Sequence, residues 1–347
     1  MRTRGISVAA IAVAASIGIA ACGSSSTSGS STGSSKTLVG AGSTLIAPLM
    51  SQWQPAYDTS SGVAVTYGAI GSGGGIEQIT ARTVDFGASD APPTPAQATA
   101  CKGCVEIPWA LAATTVAYNV KGVPNQLKLT GPVLADIYLG QITMWNAPQI
   151  KALNPGINLP ATKITPVYRS DGSGDTYAFT NYLSQISPTF KTKVGNATQV
   201  AFPVGIGGKG NSGVGGVLTS TNGSIAYIAI AYTLANKFDY ALVQNAAGKY
   251  PVPGIPSISA AAAAVKTVPN GNNAVSIVNS PASAPSAYPI STYTYAIVPT
   301  QSSKAAPMKA FISWATSTGQ ALGTKLNFAP LPSQIIAGDK TALAKIG

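Results

Sequence analysis

A strand-like run from Ile164 to Tyr168 leads into Arg169-Ser170-Asp171-Gly172-Ser173-Gly174-Asp175-Thr176. Apolar residues at helical spacing, Phe179, Tyr182, Leu183 and Ile186, lead out of it. A strand that passes through a few small, donor-rich residues and restarts as a helix is a tight βα turn, and repeated βα turns build α/β folds. Such a turn aims backbone N–H groups and the positive end of the helix dipole at one spot, which suits an oxyanion.

The same succession recurs along the chain. Leu38 to Thr44 reads as a strand running into a glycine turn, followed by a helix with Leu49, Trp53 and Tyr57 on its buried stripe. Thr44 is the expected N-cap and Pro48 fits the first turn, while Pro55 predicts a kink or an early end. Val63 to Tyr67 alternates as a strand, and Gly71 to Gly75 opens a helix through Ile76 and Ile79. That turn lacks the Gly-Lys-Ser/Thr ending of a P-loop, so it does not point to a nucleotide. Val84 to Ser89 is a strand ending at Asp90, the position where α/β folds place ligands.

Further on, Ala110 to Val120 reads as a buried strand and Gly131 to Gly140 as a two-turn helix closed by glycine. Gly205 to Gly216 reads as a long glycine loop and Ser224 to Tyr232 as an apolar strand. Between 240 and 290 only Ala260 to Val265 is assigned, as helix. Tyr293 to Val298 alternates as a strand, and Pro307 starts a helix with a stripe of Ala310, Phe311, Trp314 and Ala315. The 347 residues suffice for two lobes with cores of their own.

Composition narrows the chemistry. The chain has no histidine, which removes His-based triads, His general bases and His metal sites. Its charge of +11 (21 Lys and Arg against 10 Asp and Glu) contains no basic run or stripe, so nucleic-acid binding is not indicated. A positive balance without a cluster suits steering of small anions. Of three cysteines, Cys101 and Cys104 form a short pair with no second pair to complete a zinc site; in an exported protein this spacing reads as a loop disulfide.

Export is written in the first residues. Arg2 and Arg4 precede an apolar run from Ile6 to Ala21, too short for a membrane span and shaped like a secretory signal (1–21). The ending Ile19-Ala20-Ala21-Cys22 resembles a bacterial lipobox, with Cys22 as the lipidated residue. Residues 22–36 are mostly Gly, Ser and Thr, the composition of a flexible tether. The expected location is extracytoplasmic, held to the cell membrane by lipid.

Several motifs in order resemble the PstS family, the phosphate-binding subunit of the bacterial ABC phosphate importer. They are Ala41 to Pro48, Ile70 to Gly75, Val84 to Pro92, Asp136 to Trp145, Leu153 to Gly156, Arg169 to Thr176 and Gly207 to Asn211. The resemblance implies a type II periplasmic-binding-protein fold: two α/β lobes, 37–112 with 296–347 and 113–295, joined by a two-strand hinge with the ligand cleft between them. It also implies phosphate contacts at Thr44, Leu45, Ser72, Asp90, Arg169, Ser173, Gly174 and Asp175, no cofactor, no enzymatic activity, and partners in the membrane permease. A monomer is expected.

Read from their chemistry, Ser43, Thr44, Ser72 and Ser173 are neutral donors, and Arg169 offers a planar pair of donors that Asp171 would hold in place. Phosphate near neutral pH retains a proton and sulfate does not. A buried acceptor, Asp90, would therefore favour the first and repel the second. Asp175 has two competing readings, a second acceptor or a carboxylate favoured by the helix dipole. Two other functions stay open on sequence: binding of another oxyanion of the sulfate or molybdate class, and a Ser-Lys hydrolase using Ser173.

Overall fold

The computed structural model describes residues 37–265 and 275–347. The signal segment, Cys22 and the tether lie outside the described residues.

The chain begins β1 (Thr37–Gly42), α1 (Ala47–Ser61), β2 (Ala64–Ala69), α2 (Ser72–Thr80), β3 (Phe86–Ser89) and α3 (Pro95–Ala100), then enters the long strand β4 (Cys104–Asn119). There follow β5 (Lys128–Leu129), α4 (Gly131–Tyr138), α5 (Pro148–Leu153), β6 (Thr165–Arg169), α6 (Gly174–Ile186) and α7 (Pro188–Lys193). Next come β7 (Ile206–Gly208), α8 (Gly210–Ser220), β8 (Ser224–Ala229), α9 (Ile230–Ala235), β9 (Asp239–Tyr240), β10 (Leu242–Val243) and α10 (Ile255–Ala263). The strand β11 (Ser291–Pro299), α11 (Ala305–Ala315), a 3-10 helix (Thr318–Leu326) and α12 (Ser333–Leu343) complete it.

Among the described residues the main sheet runs β2-β1-β3-β11-β4-β8-β6-β7. Its partner change occurs within β4. Residues from Cys104 to Ala113 pair antiparallel with β11, and those from Thr114 to Asn119 pair antiparallel with β8. β1, β2 and β3 are parallel to one another, as are β6, β7 and β8. Because β4 runs on from the first set and antiparallel to β8, the carboxyl ends of the two sets face each other. Ligands of α/β sheets bind at strand carboxyl ends, so this topology points both binding edges at one place.

Each half has its own apolar packing. Around β1, β3 and the start of β4, Trp53, Trp109, Phe86 and Phe311 are fully buried, with Trp53 and Trp109 edge-to-face at 5.4 Å. Around β6 and β8, Tyr138, Phe179 and Tyr227 form the corresponding cluster, with Phe179 stacked on Tyr227 at 4.6 Å. Burying a large apolar side chain contributes about 1.5–3 kcal/mol, so such clusters hold the turns above them in place.

Several sequence expectations require correction. Thr44 does not cap α1; Ile46 occupies the N-cap position without a side-chain bond, and the Ser43 hydroxyl accepts the Leu45 N–H instead. α1 continues through Pro55 to Ser61, because Pro55 lies on the exposed face, where water can satisfy the carbonyl it frees. The glycine-rich segment after Gly205 is a strand and a helix, β7 and α8. Glycine at 208 is needed for contact, since a Cβ there would lie 2.6 Å from the Val214 nitrogen. The apolar run after Ser224 divides into β8 and α9. The buried stripe of α11 is Met308, Phe311, Ile312 and Ala315, with Ala310 exposed and Trp314 half-buried. Cys101 and Cys104 are joined, with Cα atoms 5.6 Å apart, and Arg82 donates to the Cys101 carbonyl at 2.6 Å.

Candidate functional site

Five of the six strands of the two parallel sets deliver their turns to the same region. β1 leads to Ser43 and Thr44, β2 to Gly71 and Ser72, β3 to Asp90, β6 to Ser173 and Gly174, and β7 to Lys209–Asn211. Helices α1, α2, α6 and α8 start there, so four dipoles point inward.

Asp90 is the acidic centre of the first half. It is buried, its Oδ2 accepts the Ser43 hydroxyl at 2.6 Å, and its backbone N–H donates to Ser72 Oγ at 3.2 Å. Its Oδ1 is buried without a hydrogen-bond partner, although Thr294 lies alongside. Burial, reinforced by the charge of Asp175, pushes Asp90 up to about 7, against the pull of Ser43, Thr294 and Arg169. The two halves meet at this residue. A Cβ on Gly174 would fall 2.3 Å from the Asp90 Cβ, and the Gly174 N–H donates to Ser72 Oγ at 3.0 Å.

Arg169 is the cationic centre of the second half, with its side chain 1% exposed. Its Nε and one terminal nitrogen grip both oxygens of Asp171, and the other terminal nitrogen lies 3.2 Å from Asp175 Oδ2. Burial works to lower the Arg169 pKa, but the two carboxylates outweigh it and the guanidinium stays charged. Burial likewise works to raise Asp171, and Arg169 holds it below the usual range. Ser173 is the N-cap of α6, accepting the Thr176 N–H at 3.3 Å.

Asp175 is fully buried and both its oxygens are engaged. Oδ1 accepts from Thr114 at 2.7 Å; Oδ2 accepts from Arg169 and from Asn211 at 2.9 Å. Burial pushes its pKa up, while Arg169, Thr114 and Asn211 pull it back. Thr44 Oγ1 accepts from the Asn211 side chain at 2.8 Å, and the Leu45 N–H points back to Ser43. A cavity of about 260 Å³ lined by Thr44, Ile70, Asp171, Lys209, Ser212 and Tyr232 opens beside these groups. Larger cavities of about 770 Å³, beside residues 250–253, and about 520 Å³, beside residues 204–206, contain no acid in their linings.

The structure thus brings Ser43, Thr44, Leu45, Ser72, Asp90, Arg169, Asp171, Ser173, Gly174 and Asp175 to one junction. Sequence reasoning gave no site role to Asn211, which ends one of the family-like motifs in a segment read as a loop, nor to Thr114. The pair Thr114-Thr115 in an otherwise apolar buried strand was the available signal, since a buried hydroxyl needs a partner.

As chemistry, the junction is an array of neutral donors, one paired guanidinium and one under-satisfied acceptor. The Ser173 hydroxyl serves as a helix cap, and the nearest lysine in sequence, Lys163, is exposed.

Residues 26–318 match the family model of the PBP superfamily domain. A phosphate-binding protein PstS of Xylella fastidiosa is 42% identical over 308 residues, spanning 87% of this chain and 83% of that protein. One from Haemophilus influenzae is 36% identical over 311 residues, spanning 88% and 92%. Among solved structures, a phosphate-binding protein from Stenotrophomonas maltophilia matches with a TM-score of 0.68 at 19% identity, over 90% of this chain and 99% of that one. At that identity the structural likeness speaks to the fold alone.

Proposed function

The chain belongs to the PstS family of phosphate-binding proteins, and from that membership and the junction's chemistry we propose that it captures inorganic phosphate outside the cytoplasm and delivers it to an ABC-type import permease. It is a substrate-binding protein, not an enzyme.

The observation that carries the reading is Asp90 Oδ1, a buried acceptor without a partner amid donors. An unmatched buried polar oxygen costs about 1–3 kcal/mol. A ligand that brings both anionic oxygens and a hydroxyl relieves that cost, and protonated phosphate is such a ligand. Fully ionised sulfate would set an oxygen against the carboxylate.

In this reading Ser43, Thr44, Ser72 and Ser173, with the N–H groups of Leu45 and Gly174, donate to phosphate oxygens. Arg169 supplies the charge and Asp171 orients it. The full occupation of Asp175 by Thr114, Arg169 and Asn211 favours a counter-ion of Arg169 over a second phosphate acceptor. The partner change within β4 supports lobes of 37–112 with 296–347 and 113–295, hinged where β4 and β11 cross. The lipobox-like Cys22 supports a lipid anchor and Gly/Ser-rich residues 23–35 a tether.

Titration calorimetry of the mature protein with phosphate and sulfate at pH 7.5 tests the function. Micromolar or tighter phosphate binding with sulfate at least a hundredfold weaker is expected. Sulfate binding as tight as phosphate would replace this reading with that of a general oxyanion receptor.

A further inference from the structure

Asn211 is fully buried at the start of α8, and its carboxamide engages both amide hydrogens and its oxygen. Oδ1 accepts the Ala229 N–H at 2.9 Å; Nδ2 donates to Thr44 Oγ1 at 2.8 Å and to Asp175 Oδ2 at 2.9 Å. The orientation is forced, because an N–H can meet only the oxygen end and a carboxylate only the nitrogen end. The Asn211 backbone N–H adds a second, longer bond to Thr44 Oγ1 at 3.3 Å.

A hydroxyl has two lone pairs and one proton. With both lone pairs of Thr44 filled by donors from Asn211, its proton has to point elsewhere. We propose that Asn211 is a positioning residue for phosphate recognition: it makes Thr44 an obligate donor to the anion, and it keeps Asp175 turned away from the anion as an occupied counter-ion. The proposal rests on the phosphate reading above and goes beyond it, because Asn211 reaches the ligand only through Thr44 and Asp175. It also ties the halves together, since Thr44 follows β1 and Asn211 follows β7, 167 residues apart.

Without those donors, Thr44 is free to turn its proton toward a neighbouring oxygen and offer the anion a lone pair. A structural role alone would couple the two residues in stability without making them interdependent in phosphate affinity. A double-mutant cycle separates these cases. Phosphate affinity is measured by calorimetry at pH 7.5 for the wild type, Asn211→Ala, Thr44→Val and the double variant. Asn211→Asp provides a second cycle that keeps side-chain volume and the Ala229 contact should the alanine variant not fold.

Each single change is expected to weaken phosphate at least tenfold. The double variant is expected to bind at least threefold tighter than the product of the single losses predicts. Losses that multiply within twofold, or an Asn211 variant that binds like wild type, would overturn the proposal while leaving the phosphate reading intact. A wild-type protein that fails to bind phosphate would remove both.

Discussion

Asp90 concentrates the chemistry of the junction, and its environment predicts both ligand choice and pH behaviour. Replacing it with asparagine puts an amide where the acceptor oxygens stood. A hydrogen bond to a charged group is worth about 1.5–3 kcal/mol, so Asp90→Asn should weaken phosphate about tenfold to hundredfold, with sulfate weakened less or strengthened. Competition calorimetry checks this; an unchanged phosphate-to-sulfate ratio would assign Asp90 a purely structural role.

The pH prediction follows from the direction of the shift. Asp90 titrates at about 7 in the folded protein, above the usual value of an unfolded aspartate, about 4. The folded state therefore holds a proton that the unfolded state has lost in that window. The associated stabilisation is complete below about pH 4 and is lost as pH rises through about 7, at a slope of at most about 1.4 kcal/mol per pH unit. Denaturation of the ligand-free protein between pH 4 and 8 should show this decline, and Asp90→Asn should flatten it. Glu106, which burial alone also pushes to about 7, acts in the same sense and remains in the variant, so some slope should persist.

Among the elements, α1 shows how a local rule yields to packing. Proline in a helix interior removes a hydrogen bond, yet α1 runs fifteen residues through Pro55 because Leu49, Met50, Trp53 and Tyr57 hold the opposite face in the core. Pro55→Ala should restore the missing bond and raise stability by about 1–3 kcal/mol in urea denaturation. Phosphate affinity should not change, since Pro55 lies on the solvent side of a helix whose other end faces the junction. α8 is the opposite case: Gly210, Gly213, Gly215 and Gly216 argue against a helix, but Gly213, with Gly208, permits close packing against β7. The register of α11 was displaced because Ala310 and Trp314 are apolar without being core residues, and composition does not state which apolar side chains face inward.

Across the whole molecule, the halves touch backbone to backbone as well as through the side chains of Thr44 with Asn211 and of Ser72 with the Gly174 N–H. The Gly73 N–H donates to the Gly172 carbonyl at 2.9 Å, and a Cβ on Gly73 would stand 3.1 Å from the Gly172 Cα. If ligand capture requires this approach, Gly73→Val should block it while suiting α2 at least as well as glycine does. The expected result in thermal melting is a ligand-free midpoint at or slightly above wild type, with most of the phosphate-induced rise lost. A full phosphate-induced rise would show that the Gly73–Gly172 contact is incidental to binding.

Much of this protein is legible from local sequence. Strand, glycine turn and helix follow one another within about ten residues, and the α/β class, the donor turns and the place of Asp90 at a strand end come from that short-range order. The absence of histidine and the ordered motifs carried the reading from an anion cradle to a binding protein. The pairings were beyond reach: Asn211 with Thr44, Thr114 with Asp175, and Gly73 with Gly172. Each joins segments far apart in the chain, and each depends on β4 passing from one half of the sheet to the other. A side chain's hydrogen-bonding capacity is fixed by its identity, but its partner is chosen by burial. That is why the partners of Asp175 emerged only once Thr114, Arg169 and Asn211 were brought around it.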